Sequence, residues 1–492
     1  MRKNLRLTAV FISIAILISA VLPASSFSAK ANRLLGDTDG DGVVAIMDVT
    51  LIQRHIIRLI TLDEGSLEAS DADGSGALEI TDATFVQRWL IYVPAPYPIG
   101  EPMYSYDDEK TAAINALSAR LAQTKAAAGG RPVMIRSYDT DRIELSSTAY
   151  TYDNALAAMA FISEDRRSDA QEILDAFVYV VAHDRYKPGR IRTAYAADTV
   201  YWLKDGQDSV KLPGWYDNIY GWLEDPQQVG SDTGNTSFAA LALLQYDSVY
   251  GGDSYLATAK ALMDWVIEEC ADSSDGFTAG CIGWPEEENG EEKLTYKSTE
   301  NNIDAYVAFS RLYAVTGEQK YKNAADSALR FIKSMYNDEE GYFYTGTAVD
   351  GITPNTSLIP LDAQVWSAMA LGTEFEPYVS ALDMAASMKT PEGAYPFCKE
   401  NKNGGFWCEG SAFTALMYKE RGEFGSYAET MDALSDIQLE SGLFPAASVD
   451  NLDTGIKLKN GDPWEYGKDP HIAPAAWFVF AVNGFDPYCF NS

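Results

Sequence analysis

The sequence predicts an all-α protein, an (α/α)6 toroid of six inner and six outer helices, with a small module of two calcium-type loop-helix repeats in front of it. Three observations carry that expectation. From Asp107 onward, amphipathic segments alternate with segments that are apolar almost all round, six of each. Strand-like alternation rich in Val, Ile and Thr is almost absent. And an aspartate- and glycine-rich pattern occurs twice in tandem, as GDTDGDGVVAIMD from Gly36 and SDADGSGALEITD from Ser70.

The chain opens with a basic start, an apolar run and a small-residue exit over residues 1–31, which reads as a secretory signal peptide cut near Ala31. The mature protein is therefore expected outside the cell. No later run approaches the roughly 20 apolar residues of a membrane span. A net charge of −33 argues against nucleic acid as a partner, because little could neutralise a phosphate backbone. Five cysteines, Cys270, Cys281, Cys398, Cys408 and Cys489, lack metal-ligand spacing and leave one disulfide open, such as Cys398 with Cys408.

Calcium takes six to eight oxygens, and a twelve-residue loop supplies them from positions 1, 3, 5, 7, 9 and 12 around a glycine at position 6. In the first copy these are Asp37, Asp39, Asp41, the Val43 carbonyl, a water near Ala45 and Asp48, with Gly42 at the turn. In the second they are Asp71, Asp73, Ser75, the Ala77 carbonyl, Glu79 or a water, and Asp82, with Gly76 at the turn. Two Ca2+ ions are expected, the second bound more weakly because Ser75 removes a charge. Helical stretches VTLIQRHIIRLI and ATFVQRWLIYV follow the loops, and neither loop shows the preceding helix of a full EF-hand.

That tandem resembles the type I dockerin module of cellulosomal enzymes, over residues 35–97. The resemblance implies a cohesin module of a scaffoldin as partner. It places the cohesin-facing residues at Ile46, Met47, Gln53 and Arg54 in one copy and Ile80, Thr81, Gln87 and Arg88 in the other. Ile46 and Met47 stand where a Ser-Thr pair is common in such modules. The similarity of the two faces suggests that either docks.

A proline-rich linker is expected at residues 98–105, and the toroid over 106–492. Its outer helices begin at Asp107, Asp165, Asp253, Glu318, Glu376 and Phe424, and its inner ones at Tyr152, Gly234, Glu300, Leu361, Glu409 and His471. All inner helices of a toroid run the same way, so their opening residues gather at one end. Those are Asp153, Asn154, Asn235, Glu300, Asn301, Asp304, Asp362, Gln364, Glu409 and His471. A carboxylate there also suits a plain helix cap, but Glu is a poor cap for a buried helix. Long loops bring aromatic side chains to the same end, with Trp215, Tyr216, Trp222, Trp284 and Trp407 expected to stack on sugar rings.

The phrases KSTENNIDAYVAFSRL, IPLDAQVWSAMALG and HIAPAAWFVFAVNGFDPY resemble the six-hairpin glycosidase superfamily, over Tyr106 to the C-terminus. The resemblance implies a monomeric toroid acting on a carbohydrate with no cofactor for catalysis. Glycoside hydrolysis needs one protonated carboxyl and one carboxylate, roughly 6.5–9.5 Å apart in inverting enzymes. Glu300 is the first choice for the acid, since burial and Asp304 one turn on raise its pKa. Asp153 is the choice for the base, with Asp362 and Glu409 in reserve. The toroid holds only two histidines: His183 reads as structural, and His471 is placed to touch substrate. A polysaccharide lyase, an unsaturated-uronyl hydrolase or a non-catalytic carbohydrate-binding subunit are the alternatives.

Overall fold

Leader residues 1–31 lie outside what the computed structural model describes, which is 34–489 except 74, 96, 98, 101, 102, 104, 205, 285–289 and 458–460. Part of the expected linker falls outside as well.

In the N-terminal module the first loop feeds helix α1 (Ile46–Ile56), a short helix α2 (Glu64–Ser70) follows, and the second loop feeds α3 (Ile80–Leu90). Asp48 and Asp82 start α1 and α3 by accepting the Ala45 and Glu79 amides, each at 2.7 Å. Helix α2 departs from the sequence expectation, because it stands directly before the second loop. Asp63 caps it through the Ser66 amide at 2.8 Å, and the Ala69 carbonyl accepts from Gly36 at 2.7 Å, so a seven-residue piece too short to show periodicity is held by tertiary contacts. Val44, Val49, Ile52, Ala72, Ala83, Val86 and Ile99 form the core. Ile99 and Gly100, read from sequence as linker, thus pack on this module. At Gly100 a Cβ would meet the Trp89 ring at 2.5 Å, and φ is +87°.

Beyond Tyr106, outer and inner helices alternate: α4 (Asp107–Ala128) and α5 (Thr151–Ser163), then α6 (Arg167–Ala182) and α7 (Thr233–Tyr250). Next come α8 (Leu256–Cys270) and α9 (Thr299–Thr316), α10 (Gln319–Ser334) and α11 (Leu361–Ala370), α12 (Ser380–Ala386) and α13 (Cys408–Glu420), and finally α14 (Phe424–Ser435) and α15 (Ile472–Asn483). Each inner helix packs on the next, and α15 packs back on α5, which closes the ring. The burial follows the residue pattern. Helix α5 buries nearly every position, with alanines that let neighbours approach, whereas α10 buries only the Tyr321, Ala324, Ala325, Ala328, Phe331 and Ile332 face.

Two further differences concern the periphery. The outer helix expected from Glu376 is shortened, because Pro377 sits in a 3-10 turn, Gly372–Tyr378, that precedes α12. Short antiparallel pairings also occur in the loops, including Gly214–Asp217 with Gly221–Glu224 and Leu452–Lys457 with Pro463–Tyr466. Strands this short carry too few residues for a two-residue alternation to stand out. Cys398 and Cys408 are buried thiols rather than a disulfide. Among the described residues no helix is long and apolar enough to cross a membrane.

Candidate functional site

Three inner helices open with threonine, and Thr151, Thr233 and Thr299 donate to the carbonyls of Arg192, Thr278 and Tyr344 at 2.6–2.7 Å. In four inner helices, α5, α9, α11 and α13, the fourth residue is a buried polar side chain that latches the helix to a neighbouring segment. Asn154 accepts the Ile135 amide and donates to the Ile135 and Tyr150 carbonyls; Gln364 does the same with Phe343 and Pro360. Both residues are fully buried, so the structure spends on backbone the two amides that the sequence reading gave to substrate. Asn302 and Ser411, which that reading passed over, are latches of the same kind on Phe277 and Tyr395.

Between anchor and latch, the second and third residues of the helices come together. The Glu409 carboxylate accepts the Tyr152 hydroxyl at 2.6 Å, and Tyr152 accepts the Trp477 indole at 2.9 Å. Asp153 Oδ2 lies 2.9 Å from His471 Nε2, and Tyr138 stacks on that imidazole with ring centroids 4.0 Å apart. An ionised carboxylate can only accept, so with Asp153 ionised Nε2 carries the hydrogen. Asn235 donates to both oxygens of Asp232 and accepts the Tyr152 amide, so it too is held by protein groups. At Gly234 a Cβ would lie 2.5 Å from the Asn301 side-chain nitrogen, so α7 and α9 approach closely there.

Crowding of carboxyl groups sets the electrostatics. Burial first, then the charges of Asp362, Asp304, Asp232 and Glu409, push Glu300 well above the usual carboxylate range. Burial pushes Glu409 to about 8 against the Tyr152 hydrogen bond. Asp362 is raised by burial, although the Ala363 amide opposes it, and Asp304 is raised well above its ordinary value by burial, against the Tyr488 hydroxyl. Asp232 is raised by burial too. Sequence reasoning missed Asp232, Tyr138, Tyr152 and Tyr466. Asp232 reads as an ordinary cap of α7, which it also is, accepting the Asn235 amide at 2.7 Å.

Trp407 is buried, stacked on Tyr466 at 5.9 Å and against Phe397 at 4.9 Å. The charges of Glu409 and Asp153 add to the burial that raises Tyr466, which places this aromatic wall beside the carboxyl cluster. The other predicted aromatics are committed differently. Trp222 donates to the Leu212 carbonyl at 3.0 Å beneath the Lys211 ammonium, opposite exposed Tyr216 across the hairpin that also carries half-buried Trp215. Trp284 donates to Glu224 at 2.8 Å, and Glu224 pairs with Arg185. His183 hydrogen-bonds the Tyr179 carbonyl at the end of α6.

In the N-terminal module, carboxylate oxygens of Asp37, Asp39 and Asp48 converge within 4.8 Å of one another, as do those of Asp71, Asp73 and Asp82. Three acids so close repel unless a cation joins them, and an all-oxygen set suits a hard divalent ion. Gly42 and Gly76 take φ of +86° and +75° at the turns. Asp41 and Ser75 reach back to their own loops, Ser75 donating to the Ala77 carbonyl at 3.1 Å. Ile46, Met47 and Ile80 are exposed at the starts of α1 and α3; Arg54, Thr81, Gln87 and Arg88 are exposed and Gln53 is half-buried.

Residues 35–91 match the family model described as Dockerin type I domain, and residues 218–368 match Glycosyl hydrolase family 76. None of the curated proteins matches the chain. Among solved structures, an alpha-amylase from Clostridium perfringens is similar over 77% of this chain and 99% of its own, at 11% identity and a TM-score of 0.54. A glycosidase variant in complex with glucose is similar over 77% and 98%, at 12% identity and 0.51. At such identities the likeness is one of fold, and the fold is the six-hairpin toroid. With a segment similar to family 76 running through its second, third and fourth inner helices and a dockerin-type module in front, the chain joins that module to a glycoside hydrolase toroid.

Proposed function

We propose that the chain, exported by a leader over residues 1–31, hydrolyses O-glycosidic bonds in a plant or microbial polysaccharide or oligosaccharide, with inversion at the anomeric carbon. Glu300 gives its proton to the leaving oxygen. Asp153 takes a proton from the water that attacks the anomeric carbon as the glycosidic C–O bond breaks. The observation that carries this reading is the contrast between the two environments. Glu300 stands among carboxyl groups that favour its protonated form, whereas Asp153 has the hydrogen-bond donor His471 beside it. The two come from α5 and α9, which α7 separates in the ring. Asp362 and Glu409 complete the catalytic end, and Asn301, Trp407, Trp215 and Tyr216 contact the sugar chain, whereas Trp222 and Trp284 are held by protein groups. The module at residues 35–97 binds two Ca2+ ions and docks a scaffoldin cohesin through the Ile46/Met47 or Ile80/Thr81 face.

The test incubates residues 106–492 with a panel of plant and microbial polysaccharides while reducing ends and absorbance near 235 nm are followed together. Reducing ends alone, with a product of inverted configuration by NMR, support the reading. Absorbance would show lyase chemistry, and binding without turnover would leave a carbohydrate-binding subunit.

A further inference from the structure

Three inner helices that follow one another round the ring, α13, α15 and α5, are joined at the cleft end by one line of hydrogen bonds. The Trp477 indole of α15 donates to the Tyr152 hydroxyl of α5 at 2.9 Å, and that hydroxyl donates to Glu409 Oε1 of α13 at 2.6 Å. Tyr152 is held in this line from behind. Its amide donates to Asn235, and Phe238 packs edge-on against its ring with centroids 4.6 Å apart.

The line has a direction. An indole nitrogen can only donate, so the Tyr152 oxygen accepts there and has its single hydrogen left for Glu409. Were the carboxyl hydrogen on Oε1 instead, Tyr152 would accept twice and its own hydrogen would have no acceptor in the line, which a low-dielectric site disfavours. A hydrogen on this carboxyl therefore belongs on Oε2. Glu409 carries one at neutral pH. It is 3% exposed, burial pushes it to about 8, and the charged groups that act on it, Asp153 of α5 and Asp362 of α11, are carboxyls like itself. Tyr152 is the one described residue in hydrogen-bond contact with this carboxyl, while the nearby Trp477 indole is directed at Tyr152. Oε2 has no such partner and is not sealed from solvent.

We propose that Glu409 is a specificity-determining residue that donates its Oε2 hydrogen to a sugar oxygen in the cleft, and that Tyr152 is the positioning residue that fixes which oxygen carries that hydrogen. This deepens the hydrolase reading and rests on it, because the sugar must reach the carboxyl end of the ring. Glu409 binds and orients without giving up its proton, which leaves the acid and base to Glu300 and Asp153. A sugar with an acceptor oxygen at this point gains a hydrogen bond. One whose oxygen is missing or turned away leaves a buried donor unpaired, so selection falls on the configuration of a hydroxyl-bearing carbon.

A glutamine offers the same two ends, since its Oε1 accepts from Tyr152 while its amide nitrogen donates where Oε2 stood. Calorimetry on the full-length chain measures binding of maltose, cellobiose, mannobiose and xylobiose, and turnover of the glycan that the polysaccharide panel selects gives KM and kcat. Glu409→Ala is expected to weaken the best-bound disaccharide and raise KM on the order of tenfold, with a smaller change in kcat. Glu409→Gln recovers most of that loss. Tyr152→Phe, which keeps the ring, loses part of the affinity in wild type and none further when added to Glu409→Ala. Melting temperatures verify that each variant is folded. If Glu409→Gln keeps affinity but is as slow as Glu409→Ala, Glu409 is an acid or base; if Glu409→Ala binds and turns over with unaltered affinity and KM, it lies outside the sugar site. Either result overturns the inference and leaves the hydrolase reading standing. A wild type that binds none of the four disaccharides and cuts no glycan fells that reading, and the inference with it.

Discussion

Asp153 Oδ2 lies 2.9 Å from His471 Nε2, across 318 residues of sequence, with the Tyr138 ring stacked flat on the imidazole. A carboxylate so held has a fixed direction. Asp153→Asn is expected to lower kcat about 10²–10⁴-fold, the usual range for a general base. His471→Ala should cost less, because it leaves the carboxylate in place. Equal losses in the two variants, measured by reducing-end kinetics, would instead make His471 a partner in the chemistry.

Glu300→Gln is expected to remove the alkaline limb of the pH profile and to lower turnover on natural glycans about 10²–10⁴-fold. Aryl glycosides with acidic leaving groups need no proton, so their hydrolysis should survive much better. A uniform loss on both substrates would move the donor to Glu409.

Glu409 is 3% exposed and pushed to about 8, so the folded chain holds its proton more tightly than the unfolded chain does. A raised carboxyl pKa contributes stability that is fully present below the unfolded value, near 4, and is lost as pH rises toward 8. Glu409→Gln carries no ionisable group there. Its melting temperature relative to wild type should therefore rise between pH 4 and pH 9, which calorimetry at the two pH values would check.

Asn154→Ala should cut stability without first altering the acid-base groups. It orphans the buried Ile135 amide and carbonyl, at a cost of about 2–4 kcal/mol. The melting temperature of the toroid reports it, and pH limbs unchanged from wild type would separate a latch from a substrate contact.

In the N-terminal module, calcium should bind in two steps, with the Asp41 loop tighter than the Ser75 loop. Asp48→Ala is expected to abolish the tighter step in a calorimetric titration, and Ser75→Asp to strengthen the weaker one. Cohesin affinity that survives chelation unchanged would count against both loops.

By itself the sequence determined whatever local periodicity and spacing encode. The apolar, alanine-rich α5 and the one-sided α10 announce inner and outer positions because a 3.6-residue repeat is written in contiguous residues. The paired acidic loops are legible for the same reason, since the oxygen-bearing side chains of each, such as Asp37, Asp39, Asp41 and Asp48, fall within twelve positions. What the sequence left open was the division of labour within one helical turn. Asp153 and Asn154 are neighbours, yet Asp153 meets His471 while Asn154 turns to the Ile135 backbone. The short helix α2, the commitment of Trp222 to its own hairpin and the Tyr152 hydroxyl on Glu409 were equally hidden. Only the closed ring decides them, because a helix rotated by one residue would exchange latch and cleft positions. That rotation is fixed by contacts hundreds of residues apart, among them α15 on α5 and Tyr488 beneath Asp304.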